Sequence, residues 1–175
     1  MFHKAITDRL YEAIHQFPNK VPILHLSLHG RMDGVELTNG DFLTWVDLQR
    51  SLVPLNNAMK AGLIICMSSC DGAAGIRMAM NEDSNKPFWA LIGNSASPQW
   101  DDAAVAYVTF YHQIFKDQSL EQAVEAMKIA SGDENFLYFS GHEVKEDWVS
   151  YMNAQRTKER DNLLSGFAKT GGKKS

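Results

Sequence analysis

The chain has 175 residues, of which 45% are hydrophobic, so a single domain can bury about two-thirds of its unfolded surface. Its net charge of -4 at pH 7 argues against a nucleic-acid-binding surface, because binding to phosphates depends on an excess of lysine and arginine. The two cysteines, Cys66 and Cys70, fall on one predicted strand and its end, a poor geometry for a mutual disulfide. The composition therefore favours a globular protein with reduced thiols.

The sequence also lacks a membrane-spanning segment, a signal peptide and the ligand spacing of a zinc site, and each of these excludes a class of function. No apolar run reaches the ~18 residues that cross a membrane, so we expect no membrane association. The first ten residues form a charged amphipathic stretch instead of a signal peptide, and together with the reduced thiols this predicts a cytoplasmic protein. Histidine, cysteine, aspartate and glutamate do not cluster with zinc-ligand spacing, so we expect neither a metal site nor a cofactor.

The first part of the chain predicts a helix, a strand, a hairpin and a second helix. Apolar residues at helical spacing predict the first helix over residues 2–17. Residues 21–29 predict a strand, and because its apolar run is continuous we expect it in the interior of the sheet. Two turn dipeptides within residues 31–40 predict a small hairpin over the sheet edge. A helix over 44–59 follows, with Thr44 as its N-cap.

The rest of the chain alternates strands with helices. Because helical crossovers join strands that run in the same direction, we predict an α/β/α sandwich with a mostly parallel sheet and helices on both faces. We expect one domain over residues 1–168 and a disordered basic tail over 169–175. The predicted elements are strands over 63–70, 87–93 and 136–139, and helices over 73–80, 101–115, 120–130 and 145–168.

Two strand ends carry the side chains that suggest chemistry. The strand over 21–29 ends at His29 and is followed by Gly30. The strand over 63–70 ends at Cys70 and is followed by Asp71 and Gly72. If these strands are parallel neighbours, their carboxyl ends meet at one edge of the sheet, so His29 and Cys70 emerge side by side. A thiol attacks a carbonyl well only as a thiolate, and a histidine beside it can accept the proton. The pattern predicts nucleophilic catalysis by Cys70 with His29 as general base.

The order of the motifs is similar to that of a known class of enzymes. A His-Gly pair after an apolar strand, a hairpin ending in Asn-Gly and a Ser-Ser-Cys-Asp-Gly run after a second apolar strand resemble the caspase-like cysteine peptidases of clan CD. Within that clan the chain looks most like CHAT domains and separase, over about residues 25–141. The Phe110-Tyr111 pair and the aromatic strand near the end of this region add to the likeness.

The resemblance implies an activity and a set of site residues. It implies a hydrolase that cleaves a peptide bond in a protein or peptide substrate, with Cys70 and His29 as the catalytic pair. It also implies that the backbone N–H groups of Gly30 and Cys70 form the oxyanion hole, where glycine at position 30 suits a close approach of substrate. Asp102 resembles the acidic residue of the separase specificity pocket, which implies that it receives a basic side chain.

One departure from the family pattern bears on partners. Caspase-like domains carry two strands and a helix before the histidine strand, whereas one helix precedes it in this sequence. The missing strands would leave one edge of the sheet unpaired, and such edges tend to pair with another chain. We therefore expect a homodimer or a partner protein at that edge.

Each candidate residue also has a structural interpretation. His25 is expected to be a hydrogen-bonded core histidine, and Asp71 to cap the following helix in preference to orienting His29. Asp102 also suits the positive end of a helix dipole. Two functions therefore stay open: an active cysteine peptidase, and a catalytically inactive caspase-like module for protein–protein interaction. A flavodoxin-like ligand binder is disfavoured, because no glycine-rich phosphate loop follows the first strand.

Overall fold

The computed structural model describes the backbone of residues 2–17 and 20–170 and the side chains of residues 8–17 and 20–164. In chain order the elements are α1 (Phe2–Gln16), β1 (Ile23–Ser27), β2 (His29–Arg31), β3 (Gly34–Glu36), β4 (Phe42–Thr44), α2 (Trp45–Ala58), β5 (Ile64–Ser68), a 3₁₀ helix (Gly72–Ala79), β6 (Ala90–Asn94), α3 (Trp100–Ile114), α4 (Leu120–Ser131), β7 (Phe136–Ser140) and α5 (Gly141–Thr170).

The main sheet has the strand order β1-β5-β6-β7. β1, β5 and β6 run parallel, and β7 runs antiparallel to β6. One hydrophobic cluster joins the sheet to α1, α2, the 3₁₀ helix and α5, and a second cluster joins its other face to α3 and α4. The predicted α/β sandwich, with a mostly parallel sheet and helices on both faces, is thus confirmed.

The central strand β5 shows how the sequence builds these two layers. Side chains alternate between the faces of a strand, so Ile65 and Met67 enter the cluster with α2, while Ile64 and Cys66 enter the cluster with α3 and α4. All four side chains are buried. A continuous apolar run is what a strand covered on both faces requires.

The prediction of an interior strand over residues 21–29 is wrong in two respects. β1 ends at Ser27 and lies at the edge of the sheet, since no described strand pairs with its outer side. Leu24 and Leu26 pack in one cluster and Ile23 in the other, so both faces of β1 are covered. Apolar residues on both faces of a strand indicate that other elements pack above and below it. They do not indicate whether neighbouring strands pair with it on both sides.

The predicted hairpin is present and forms a second, three-stranded antiparallel sheet of β2, β3 and β4. His29 is the first residue of β2 and so belongs to this small sheet. Trp45 and Val35 are buried in the main core, and the Trp45 indole N–H donates to the Met32 carbonyl at 3.0 Å. These contacts fix the small sheet against the start of α2. Thr44 caps α2 as predicted, accepting a hydrogen bond from the backbone N–H three residues later.

The end of the chain departs from the prediction. α5 begins at Gly141 and continues through Thr170, so residues 169–170 are helical where a disordered tail was predicted. Residues 167–170 contain neither glycine nor proline, whereas two glycines follow Thr170, so the helix continues to that point. The rest of the predicted tail, residues 171–175, lies outside the described residues. Within the described part, no helix combines the length and hydropathy that a membrane crossing needs.

Candidate functional site

A small open pocket of about 60 Å³ lies at the carboxyl ends of β1 and β5. His29 and Cys70 both line it. His29 is exposed and Cys70 is half-buried, so both are open to a ligand that enters the pocket. The other lining residues are Leu28, Ser68, Ser69, Pro98, Trp100 and Ala103.

A tight turn presents Cys70 at the end of β5. The turn is closed by a 3.3 Å hydrogen bond from the Gly72 N–H to the Ser69 carbonyl. Asp71 adopts φ 51° and ψ 25° in this turn, a left-handed conformation that aspartate tolerates better than most side chains do. The Asp71 carboxylate makes no capping hydrogen bond to the 3₁₀ helix, so the prediction that it caps this helix is wrong.

Asn94, at the end of β6, holds the segment that supports the turn. Its side chain is fully buried, donates to Asp133 at 2.7 Å and accepts from the Ala96 N–H at 2.8 Å. The Ala96 carbonyl in turn accepts a 2.9 Å hydrogen bond from the Asp71 N–H. This role of Asn94 was not predicted, although a polar residue at the end of a buried apolar strand indicates a hydrogen-bonded position.

The hydrogen bonds at Asp133 also set the charge of its carboxyl group. Desolvation is the largest single effect and raises its pKa, but the Asn135 backbone N–H and the Asn94 and Asn135 side chains together lower the pKa below the usual range. Asp133 is therefore an ionised acceptor at neutral pH, which strengthens its hydrogen bond with Asn94.

Gly30 is in direct contact with the Cys70 turn. A Cβ atom at position 30 would lie 1.8 Å from the Cys70 carbonyl oxygen and 2.8 Å from the Ser69 hydroxyl oxygen. Only glycine allows β2 to approach the turn this closely. The close approach links His29 to Cys70 through the backbone, although His29 belongs to the small sheet and Cys70 lies in a turn after a strand of the main sheet.

The strand register leaves the Gly30 N–H out of the β2–β3 pairing. The Leu37 N–H donates to the Asp41 carbonyl, which sets the alternation of hydrogen-bonded pairs between β3 and β4. In that alternation the backbone groups of Val35 point toward β4, so Val35 and Gly30, which are opposite each other, form a non-hydrogen-bonded pair. The Gly30 N–H therefore points away from β3.

Asp102, the predicted specificity residue, lies in the first turn of α3 and is partly exposed. Trp100 and Ala103, three residues apart, share the helix face that lines the pocket, whereas Asp102 does not line it. The role of Asp102 thus stays a prediction. Trp100 is 69% exposed at the rim of the pocket and was not singled out from the sequence.

Ser69 is an unusual member of the pocket. Its hydroxyl group is buried and has no hydrogen-bond partner among the described residues. Most buried hydroxyl groups in proteins are paired, because an unpaired one carries a desolvation cost of about 1–3 kcal/mol. The burial of Ser69 was not predictable from the residues around it, since it depends on the contact with Gly30.

A second polar cluster, formed by His25, Cys66, Tyr107 and Tyr111, lies on the face of the sheet beneath α3. His25 Nδ1 and the Tyr111 hydroxyl are 2.6 Å apart, and the His25 ring packs edge-on against Tyr107. His25 is thus hydrogen-bonded as predicted, but it lies at the rim instead of in the core because β1 is an edge strand. Burial raises the pKa of Cys66 to about 12, partly offset by a hydrogen bond with Tyr111, which makes this thiol unreactive.

The protonation of His25 predicts a pH dependence of stability. Desolvation lowers the pKa of His25 below its usual 6.5, so below that pH the unfolded chain binds a proton that the folded protein binds less tightly. The contribution of neutral His25 to stability is therefore present above pH 6.5 and is lost as the pH falls toward the folded-state pKa. We expect the Tm of the wild type to fall more between pH 7.5 and 5.5 than that of His25→Gln, measured by thermal denaturation. Parallel falls in the two proteins would contradict this.

No protein-family model matches the chain, and no curated protein matches it. The structure defines an α/β protein in which a small antiparallel sheet packs at the carboxyl edge of a mostly parallel one. Among the described residues, no three histidine, cysteine, aspartate or glutamate side chains stand close enough to hold a metal ion.

Proposed function

We propose that the protein is a cysteine peptidase of the caspase-like kind, with Cys70 as nucleophile and His29 as general base. The observation that carries the proposal is that both residues line one open pocket at the carboxyl ends of two parallel strands. Such edges are where open α/β sheets bind their ligands. The tight turn at Cys70 and the direct contact of Gly30 with that turn support it, because together they hold His29 near Cys70.

The proposed mechanism is acyl transfer through a thioester. His29 takes the proton of the Cys70 thiol, and the sulfur forms a bond to the carbonyl carbon of the substrate. The C–N bond then breaks, and the leaving amine takes the proton from His29. Water, deprotonated by His29, attacks the thioester, releases the carboxylic acid and restores the Cys70 thiol.

The proposed oxyanion hole consists of the backbone N–H groups of Gly30 and Cys70. The Gly30 N–H is left free by β3, which supports its use as a donor. Each donor of this kind typically contributes a factor of ~10²–10³ to the rate. We extend the proposal to Asp102, whose partly exposed carboxylate at the start of α3 would receive a basic side chain of a protein or peptide substrate.

Alkylation by iodoacetamide at pH 7 tests the proposed pair before any substrate is known. We expect the native protein to be labelled at Cys70 several-fold faster than the same chain unfolded in urea, because His29 accepts the thiol proton as the sulfur attacks. The buried Cys66 is the internal control and is expected to stay unlabelled until the protein unfolds. The His29→Ala variant should lose the rate advantage of Cys70, as read from peptide mass spectra.

The opposite result of the alkylation experiment would favour the second candidate function. Equal labelling of Cys70 in the native protein, in His29→Ala and in the unfolded chain would mean that the pair is not activated. The chain would then be a catalytically inactive interaction module. The outer edge of β1, unpaired by any described strand, is the observation that favours this alternative. β1 carries no lysine, glutamate or proline that would block pairing, so a second copy or a partner protein could add a strand there.

A further inference from the structure

A second cavity, which we term the apolar groove, lies beside the Cys70 turn. Its volume of about 420 Å³ falls in the ~300–1,000 Å³ range of ligand sites. Leu137 and Phe139 of β7 and Ile76 of the 3₁₀ helix line it together with Met32 and Met80. Phe139 packs in the core cluster on the α2 side of the sheet, whereas the Cys70 pocket is lined by residues of α3 from the other side. The groove and the pocket are therefore separate cavities.

The 3₁₀ helix gives the groove its direction. Asp71, Ala74, Arg77 and Met80 all line the groove and are spaced three residues apart, which places them on one face of a helix with three residues per turn. Asp71 directly follows Cys70, so one end of the groove lies next to the proposed nucleophile. With a rise of ~2.0 Å per residue, Arg77 lies ~12 Å farther along. An extended peptide covers this distance in three or four residues.

The charged residues of the groove are free to meet a ligand. Arg77 is exposed, and neither it nor Asp71 forms an ion pair with another described residue. A guanidinium group at the edge of an apolar surface attracts a carboxylate more strongly than one in open water does. The methionines Met32 and Met80 adapt easily to different apolar side chains. The chemistry fits an extended peptide with both an apolar and an acidic side chain.

From these features we propose that the apolar groove binds the substrate of Cys70 and selects a segment with a large apolar residue and, farther from the scissile bond, an acidic residue. The apolar side chain packs on Ile76, Leu137 and Phe139. The acidic side chain pairs with Arg77, three or four residues from the bond that Cys70 attacks. The assignment of this peptide as a substrate rests on the proposed function, whereas the groove itself is tested by binding alone.

The test uses fluorescein-labelled octapeptides and the full-length Cys70→Ala variant, so that nothing is cleaved. Four peptides of glycine and serine carry leucine or serine at one position and glutamate or lysine two positions later, a spacing that places both side chains on one side of an extended chain. We expect the leucine–glutamate peptide to bind at least tenfold more tightly than the other three. Fluorescence anisotropy measures the dissociation constants.

Variants of the groove make the assignment specific. In the Cys70→Ala background, Arg77→Glu should reverse the preference between glutamate and lysine, and Ala74→Phe should weaken all four peptides by filling the groove. The matched control is Arg160→Glu, an exposed arginine on α5 remote in sequence from the groove, which should bind like the parent. Circular dichroism confirms that each variant is folded.

The outcomes separate the groove from the peptidase. If no peptide binds, or if Arg77→Glu and Arg160→Glu bind all four peptides alike, the groove proposal is wrong. If binding follows the expected pattern while the wild type cleaves neither these peptides nor versions that also carry an arginine for Asp102, the groove stands and the peptidase proposal fails for them. If the wild type cleaves peptides whose binding ignores Arg77 and Ala74, the peptidase stands and the groove proposal fails.

Discussion

Replacing Gly30 with alanine is expected to destabilise the protein and to disrupt the Cys70 turn. The new Cβ atom would lie 1.8 Å from the Cys70 carbonyl oxygen, and this clash is with backbone, so no side-chain rotation relieves it. Either β2 or the turn must move. Overpacking of this kind costs about 1–3 kcal/mol or more, and each kcal/mol lowers the Tm of a domain of this size by ~2–4 °C. Thermal denaturation measures the loss.

The matched control for Gly30→Ala is Gly62→Ala. At position 62 the nearest atom to an added Cβ is the Met59 carbonyl oxygen at 3.2 Å, which a small shift can accommodate. We expect this variant to stay within about 1 kcal/mol of the wild type. The Gly30→Ala variant should also lose any excess reactivity of Cys70 toward iodoacetamide. If the Gly30→Ala protein is as stable as Gly62→Ala, Gly30 is not in close contact with the Cys70 turn.

The central part of the fold is predictable from sequence because its signals are local. β5 is covered on both faces, and its continuous apolar run identifies it as a strand. Thr44 and Ser119 are the N-cap residues of α2 and α4, and each accepts a hydrogen bond from a backbone N–H three residues later. In both caps the side chain and the backbone N–H that donates to it are only three residues apart in the sequence.

The position of β1 could not be predicted in the same way. Whether a strand lies inside a sheet or at its edge depends on which other strands pair with it, and these are distant in sequence. The same reason explains why His29 was assigned to the end of a single long strand. The break between Ser27 and His29, where the chain leaves the main sheet for the small one, follows from the packing of Val35 and Trp45 and from no feature of residues 21–29.

The candidate site was partly predictable. The sequence placed His29 and Cys70 near the carboxyl ends of two neighbouring strands, and the structure has both residues lining one pocket. The unpaired Ser69 hydroxyl and the groove that begins at Asp71 depend on contacts between the 3₁₀ helix, β7 and the hairpin. Contacts of this kind arise only after the elements have packed, so no pattern in the sequence reports them.

Loss of His29 is expected to have the largest effect on catalysis among the variants that keep the nucleophile. If Cys70 and His29 act as proposed, His29→Ala should lower kcat/KM by ~10²–10⁴, because proton transfer to and from the thiol and the leaving amine loses its base. The loss should appear in kcat, since the substrate contacts in the apolar groove are unchanged and KM should stay within a few-fold. Cys70→Ala should abolish cleavage completely, because alanine cannot form the thioester.

The measurement uses a peptide mixture from a digested proteome, with new amino termini identified by mass spectrometry and a peptide found this way used for kinetics. His112→Ala is the matched control, because His112 is exposed on α3 and does not line the Cys70 pocket. We expect it to cleave like the wild type. A His29→Ala protein that retains more than half of the wild-type kcat would remove His29 from the mechanism. Cleavage that persists in Cys70→Ala would remove the thioester as well, since no other described thiol lines the pocket and Cys66 is fully buried.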